Sequence, residues 1–93
     1  MKVANIIWKQ IEVGTKMSVG ARKPVASENG LTFEVGSGRG SMKKIEIVLE
    51  ENDTYTVRRY TISRRTYEIK TDEEVRDVYA DELSRMVEEL SNI

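Results

Sequence analysis

Apolar residues follow helical spacing at both ends of the chain, and they alternate with polar residues in between. Within residues 2–12 they follow spacings of three and four, and Gly14 comes where a helix would stop. These apolar positions are Val3, Ile6, Ile7 and Ile11. The pattern predicts a short amphipathic helix. Isoleucine is β-branched, so a strand over the same residues is the alternative.

A longer apolar stripe lies near the C-terminal end. Thr71 and Glu74 fit a capping box with Thr71 as the N-cap, and acidic residues here suit the positive end of a helix dipole. A helix is therefore predicted to begin at Thr71, because the apolar residues that follow recur at spacings of three and four. They are Val75, Val78, Tyr79, Leu83, Met86, Val87 and Leu90. The predicted core positions among them are Val75, Val78, Tyr79, Leu83 and Leu90.

The first strands are predicted around a tight turn at Asn29-Gly30. Residues 15–27 indicate an edge strand, because Met17 and Val19 alternate with polar residues and Pro24 is tolerated only at a sheet edge or a strand end. Residues 31–35 alternate clearly between apolar and polar. Together these two segments predict a hairpin.

The later strands follow the same alternation. Residues 45–49 predict a strand, and the next begins at Tyr55 and changes its apolar phase to Tyr60 and Ile62. A phase change of one residue predicts a β-bulge in this strand. A turn over residues 63–66 and a final strand through Tyr67 and Ile69 complete the pattern.

These elements predict one α+β domain over residues 1–93. It has an N-terminal helix, an antiparallel meander of four or five strands, and a C-terminal amphipathic helix packed on one sheet face. A chain of 93 residues is too short for two independent cores. The opposite sheet face is expected to meet solvent or a partner.

Composition limits the class of protein and the location that we expect for this domain. With 39% hydrophobic and 33% charged residues, the chain is expected to be globular. No apolar run approaches the roughly 18 residues that a membrane span needs. Asn5 and Lys9 break up the apolar N-terminal stretch, so it does not predict a signal peptide. We expect a cytoplasmic protein without a membrane partner.

Catalytic and metal chemistry is not indicated by the residues present. The chain has no Cys and no His, which removes thiolate sites, disulfides and the commonest general base. No spacing selects a Ser, Thr or carboxylate nucleophile with a base beside it. On a helix Asp77 and Asp81 would lie one turn apart, but two carboxylates alone make a poor cation site. We expect a non-enzyme with no cofactor and no metal.

Charge is unevenly distributed along the chain. Residues 1–70 carry 13 Lys and Arg against 8 Asp and Glu, a net charge of +5, while residues 71–93 carry 2 against 8, a net charge of −6. This asymmetry predicts either a basic surface for an acidic partner or an acidic helix that complements its own basic sheet. The self-complementary interpretation is preferred.

Two clusters are candidate binding sites. The glycine-rich stretch over residues 36–41 fits neither a P-loop nor a dinucleotide fingerprint, so an anion-binding loop is the alternative to a plain hairpin connection. That loop would use Gly38, Arg39, Gly40, Lys43 and Lys44. The second cluster combines cations with an aromatic residue, as proteins that bind single-stranded nucleic acid do. It comprises Arg58, Arg59, Tyr60, Arg64 and Arg65.

Several short segments, in order and spacing, resemble a group of small proteins encoded by bacteriophages and prophages. They are Ile6-Ile7 with Gln10-Ile11, Gly20-Ala21-Arg22, Leu31-Thr32-Phe33, Asn52-Asp53-Thr54-Tyr55 and Val78-Tyr79-Ala80-Asp81-Glu82-Leu83. The chain departs from that group at Glu12-Val13, where a glycine pair is expected, and at its last three residues. The resemblance implies a phage origin and a bacterial host, and it transfers no catalytic residue.

Three functions follow as hypotheses. The resemblance favours binding of a host or viral protein, including antagonism of a host defence system. The second cluster supports the alternative of a nucleic-acid-binding accessory protein on a basic, tyrosine-containing sheet surface. An exposed sheet edge would allow a self-assembling structural component. The chain is expected to be a monomer or a homodimer.

Overall fold

The fold is an antiparallel five-stranded sheet with helices on one face. The computed structural model describes residues 2–36 and 40–92. The helices are α1 (Lys2–Gln10), α2 (Val13–Val19) and α3 (Leu83–Ser91), with a 3₁₀ turn at Ala80–Glu82. The strands are β1 (Arg22–Ser27), β2 (Gly30–Val35), β3 (Met42–Leu49), β4 (Tyr55–Ile62) and β5 (Ile69–Val78). No helix in the described part is long and apolar enough to cross a membrane.

The strands follow one another across the sheet in the order β1-β2-β3-β4-β5, and each pairs with the next in antiparallel register. Helices α1 and α3 pack against the strands, and α2 packs on α3. The core between them contains Ile7, Phe33, Ile45, Ile47 and Leu83, all fully or almost fully buried. The predicted α+β architecture is therefore confirmed, with five strands in the meander.

The N-terminal helix is confirmed as α1, and Ile7 and Ile11 point into the core. The edge strand predicted over residues 15–27 is wrong in its first half, which forms α2. Residues Thr15 and Val19 are one helical turn apart and both are buried, whereas Met17 between them is 78% exposed. The alternation of Met17 and Val19 is thus compatible with a helix, and the strand begins only at Arg22.

The predicted hairpin joins β1 to β2, but its turn lies one residue before the predicted position: Ser27 pairs with Gly30, so the turn residues are Glu28 and Asn29, and Gly30 begins β2. Glycine is required here by the next strand: a Cβ on Gly30 would lie 2.4 Å from the carbonyl oxygen of Ile47. The peptide of Asn29 also contacts β3, because its carbonyl accepts a 2.8 Å hydrogen bond from the Leu49 amide. The turn signal therefore marks a close contact between strands as well as a change of direction.

The helix predicted from Thr71 is wrong over its first half. Residues 71–78 belong to β5, and the helix begins at Leu83 after the 3₁₀ turn. Val75 and Val78 are three residues apart and would face opposite sides of a regular strand. An extra residue between them, in a segment where Asp77 has φ 58°, restores the phase, so that Val75 opposes Val57 and Val78 opposes Tyr55.

The core predicted for this segment is largely confirmed. Val78, Leu83 and Leu90 are buried, and Val75 packs against the core while partly exposed. Tyr79 was expected in the core, but it is 59% exposed, because it lies between the end of β5 and the 3₁₀ turn.

The bulge predicted in β4 lies instead on its neighbour. Strand β4 stays in continuous register with β3, so Tyr60 and Ile62 simply point to the other face. The register shift beside Arg59 and Tyr60 places an extra residue, Asp72, on β5. The change of apolar phase in the sequence therefore marks apolar side chains on the sheet face opposite the helices.

Candidate functional site

The sheet face opposite the helices is the candidate binding surface, and we call it the open face. Cross-strand register assigns its residues, since side chains that oppose one another lie on one side of the sheet. One row joins Thr32, Glu46, Arg58 and Glu74, and the next joins Glu34, Lys44, Tyr60 and Thr71. Ile62 and Ile69 oppose each other in the row beyond.

Arg58 is the centre of an ion-pair ladder across this face. Its NH1 atom lies 3.0 Å from Oε1 of Glu46, and its Nε atom lies 2.5 Å from Oε1 of Glu74. Arg76 Nε contacts the other oxygen of Glu74 at 3.1 Å. The hydroxyl of Tyr60 donates a 2.8 Å hydrogen bond to Glu46. The guanidinium charge of Arg58 is therefore matched by two carboxylates.

The contacts within the ladder shift the pKa values of three of its groups. Hydrogen bonding to Glu74 and then the contact with Glu46 raise the pKa of Arg58, which stays charged. The hydrogen bonds from Arg58 and Arg76 lower the pKa of Glu74 below its usual 4.5. Burial and then the Glu46 carboxylate raise the pKa of Tyr60 above its usual 10. At neutral pH Arg58 and Glu74 are therefore both charged and paired.

Arg59 points to the helical side of the sheet and is 5% exposed. Its NH1 atom lies 3.4 Å from Oδ2 of Asp72, which also accepts a hydrogen bond from the Thr61 hydroxyl. Its Nε atom is buried without a hydrogen-bond partner among the described residues. Arg59 is therefore part of the interior and cannot contact a partner in this fold.

The structure divides the second sequence cluster among three places. Arg58 and Tyr60 lie on the open face, and Arg59 lies inside. Arg64 and Arg65 lie in the turn that joins β4 to β5, where Nε of Arg64 donates a 2.5 Å hydrogen bond to the Gly40 carbonyl. The five residues therefore do not form one basic patch.

Part of the charge asymmetry of the chain is balanced by ion pairs inside the sheet. Acidic residues of β5 pair with arginines of β4, as in Arg58 with Glu74 and Arg59 with Asp72. The preferred interpretation, that the chain complements its own charges, agrees with these pairs. The acidic partner is a strand, however, and the expected acidic helix over the same residues is absent from the described fold.

A shallow depression of about 400 Å³ lies on the open face beside the ladder. Its lining combines apolar and polar side chains: Lys44, Glu46, Tyr60, Ile62 and Ile69. Ile69 is 68% exposed. Sequence reasoning did not single out Ile62 and Ile69 as binding residues, although the apolar phase change in β4 was the signal for them.

A second depression, of about 370 Å³, lies at the other end of the same face. It is lined by polar and charged residues: Glu50, Glu51, Asn52, Thr54, Thr56, Arg76 and Asp77. Among the residues that the structure describes, no group of three or more carboxylates is placed to hold a metal ion. Asp77 and Asp81 do not form the helical pair expected, since one lies in β5 and the other in the 3₁₀ turn.

Both edges of the sheet are irregular. Strand β5 carries the two register shifts described above. Strand β1 contains Pro24, which has no amide hydrogen, and Lys23, whose φ of 53° is unusual for a residue with a side chain. Such features interrupt the regular backbone hydrogen bonding through which sheet edges join.

The predicted anion-binding loop is only partly within the described chain. Gly38 and Arg39 lie outside the described residues. Gly40 has φ 67°, and Lys43 and Lys44 begin β3 with their side chains on opposite faces of the sheet. Lys44 belongs to the depression on the open face.

No protein-family model, curated protein or solved structure matches this chain. The geometry of the open face is therefore the main guide to what the protein binds. That face offers matched charges around an exposed apolar depression. Such a surface can hold a partner.

Proposed function

We propose that this chain is a non-enzymatic, phage-encoded binding protein that uses its open face to bind a host or viral protein. The observation that carries the proposal is the depression formed by Tyr60, Ile62 and Ile69 beside the ladder. Protein interfaces commonly combine an apolar centre with a polar rim, and tyrosine and arginine are enriched in them. The open face has this composition.

The ladder favours a protein over nucleic acid on this surface. A phosphate group that approached Arg58 would have to displace Glu46 and Glu74, which already contact its guanidinium. Arg59 is buried on the other side. An apolar side chain of a protein partner needs no such exchange, because it can enter the depression against Ile62 and Ile69.

The phage resemblance extends the proposal to a function. The protein would block a surface of a bacterial target protein, and a component of a host defence system is the preferred target. A rigid domain can act in this way by occupying a surface, without chemistry. Self-assembly through a sheet edge is less favoured, because both edges carry irregular backbone.

The proposal is tested by affinity capture of the tagged chain from nuclease-treated bacterial lysate. Three proteins are compared: the wild type, Ile69→Lys on the open face, and Met17→Lys on α2. Ile69 is 68% exposed and Met17 is 78% exposed, so each variant adds the same charge at an exposed apolar position. We expect one protein in stoichiometric amount with wild type and Met17→Lys, and its loss with Ile69→Lys.

Two outcomes would overturn the proposal. A captured protein that is lost with Met17→Lys and retained with Ile69→Lys would move the binding surface to the helical layer. Capture of nucleic acid alone from an untreated lysate, with no stoichiometric protein from the nuclease-treated lysate, would favour the nucleic-acid alternative.

A further inference from the structure

The meander brings two separate connections to one end of the sheet. The connection from β2 to β3 and the connection from β4 to β5 leave the sheet at the same side, since Val35, Lys43, Thr61 and Lys70 form one cross-strand row. The hydrogen bond from Arg64 to the Gly40 carbonyl joins the two connections. Residues more than twenty positions apart in sequence are therefore neighbours here.

This end of the sheet carries cations that the ladder does not neutralise. None of them forms an ion pair with a carboxylate in residues 2–36 and 40–92. They are Lys43, Lys44, Arg65 and Lys70. Two strand spacings separate Lys43 from Lys70, a backbone separation of about 10 Å. The carboxylates near this end are Glu68, in the β4–β5 connection, and Asp72, which is paired with Arg59, so the cations of this end outnumber its unpaired acids.

The opposite end of the sheet has the opposite charge. The turns there contain Glu28, Glu50, Glu51 and Asp53, all exposed. The molecule therefore has a charge polarity along its strands, although its net charge is only −1. Such a field orients an anionic ligand toward the cationic end.

An exposed aromatic side chain accompanies these cations. Tyr67, in the β4–β5 connection, is 74% exposed and has φ 60°, a left-handed conformation that few residues with side chains adopt. Its amide donates a 2.8 Å hydrogen bond to the Ser63 carbonyl, which holds this turn. The ring is thus presented to solvent from a defined backbone, two residues from Arg65.

We infer that this end of the sheet binds single-stranded nucleic acid: Lys43, Arg65 and Lys70 contact backbone phosphates, and Tyr67 stacks on an unpaired base. Cations supply sequence-independent attraction, and an exposed aromatic ring adds stacking that needs an unpaired base. An acidic protein would use the same cations but would gain less from the ring. Lys70 follows Ile69 directly in β5, but Lys43 and Lys70 lie on the sheet face opposite Ile69 and the ladder, so the inference rests on different side chains from those of the proposed protein-binding surface.

The test is fluorescence anisotropy of the full chain with a labelled oligodeoxythymidylate of about 20 nucleotides, a length that spans an ordinary single-strand site. The triple variant Lys43→Gln, Arg65→Gln, Lys70→Gln is compared with a matched control, Lys9→Gln, Arg76→Gln, Arg85→Gln. Lys44 is left unchanged because it also lines the depression on the open face. Thermal melting checks that both triple variants remain folded.

We expect wild type and control to bind with similar affinity, and the triple variant to bind at least about tenfold more weakly. The slope of log affinity against log salt should fall by about 2, the value for loss of three contacts with a single strand. Tyr67→Ala should weaken binding about fivefold or more without changing that slope.

Equal binding by wild type and the triple variant would overturn the inference. An equal loss of affinity in the control would do the same, because it would show a diffuse effect of net charge. Competition by polyglutamate as effective as competition by unlabelled oligonucleotide would assign the site to acidic protein segments instead. None of these results depends on whether Ile69→Lys loses its protein partner.

Discussion

The two faces of strand β4 show how one segment serves two purposes. Val57 and Arg59 point toward the helices, where Val57 is fully buried and Arg59 is almost so, while Arg58 and Tyr60 point to the open face. The helical side gains stability by removing apolar surface from water. On the open face the charges contact each other, and the apolar depression stays exposed. The number of arginines in a strand therefore says little about how many are free to bind a partner.

The largest expected effect is on the helical side of the sheet. Leu83→Ala should lower the free energy of unfolding by about 2–5 kcal/mol, because Leu83 is fully buried at the start of α3. Thermal melting measures this, and the midpoint should fall by roughly 8 °C or more for a chain of this size. Leu83→Met, which nearly conserves volume, is the control and should lose much less. An unchanged midpoint in the alanine variant would contradict the packing of α3.

The next effect concerns the buried pair of Arg59 and Asp72. Asp72→Ala should destabilise the protein by about 3 kcal/mol, because it leaves the guanidinium buried without its carboxylate partner. Arg59→Met combined with Asp72→Leu should be close to neutral or stabilising, because it removes both charges of the pair and keeps most of the volume. Urea denaturation of both variants measures the contrast. If the double variant is as damaging as Asp72→Ala, the loss does not come from an unpaired buried charge.

A smaller effect is expected for the ladder on the open face. Arg58→Gln should lower stability by about 1 kcal/mol or less, because pairs that remain in contact with solvent contribute little. Arg76→Gln, at an arginine whose side chain is 71% exposed and which pairs only with Glu74 among the described residues, is the control and should change the urea midpoint less. If Arg58→Gln lowered the free energy of unfolding as much as Leu83→Ala, the expected difference in stability between the two faces would be wrong.

The smallest expected effect is a dependence of stability on acidic pH. The pKa of Glu74 is lower in the folded protein than its usual 4.5, so its carboxylate is favoured by folding. Its contribution to stability is present above pH 4.5 and is lost as the pH falls through the lowered value. Glu74→Gln should therefore be less stable than wild type at pH 7, with the difference closing in acid. A difference that stays constant down to acid pH would show that the carboxylate charge is not responsible.

Local patterns in the sequence predicted the elements whose apolar spacing and turn residues agree with the fold. The α1 helix was predicted in this way, and so was the β1–β2 hairpin, although its turn lies at Glu28-Asn29, one residue before the predicted position. Residues 71–78 were not, because the capping signal at Thr71 competes with pairing to β4. That pairing brings Glu74 and Asp72 to arginines distant in sequence, and tertiary contacts override local propensity.

The candidate site was predictable only in part. The cluster from Arg58 to Arg65 marked the correct region, but cross-strand pairing decides which cations are matched. Ile69 joins Ile62 through the register of β4 and β5, which no single segment encodes. In the same way, Lys43 and Lys70 become neighbours only through the meander.

The most direct test of the central claim, that the open face meets the protein partner, is site-specific photo-crosslinking. Ile69 on the open face and Met17 on α2 are replaced, one at a time, by p-benzoylphenylalanine, and both variants are irradiated in nuclease-treated bacterial lysate. Both positions are exposed, so both probes can be carried by a folded chain. We expect one discrete crosslinked protein from position 69 and none from position 17. A discrete product from position 17 alone would contradict it.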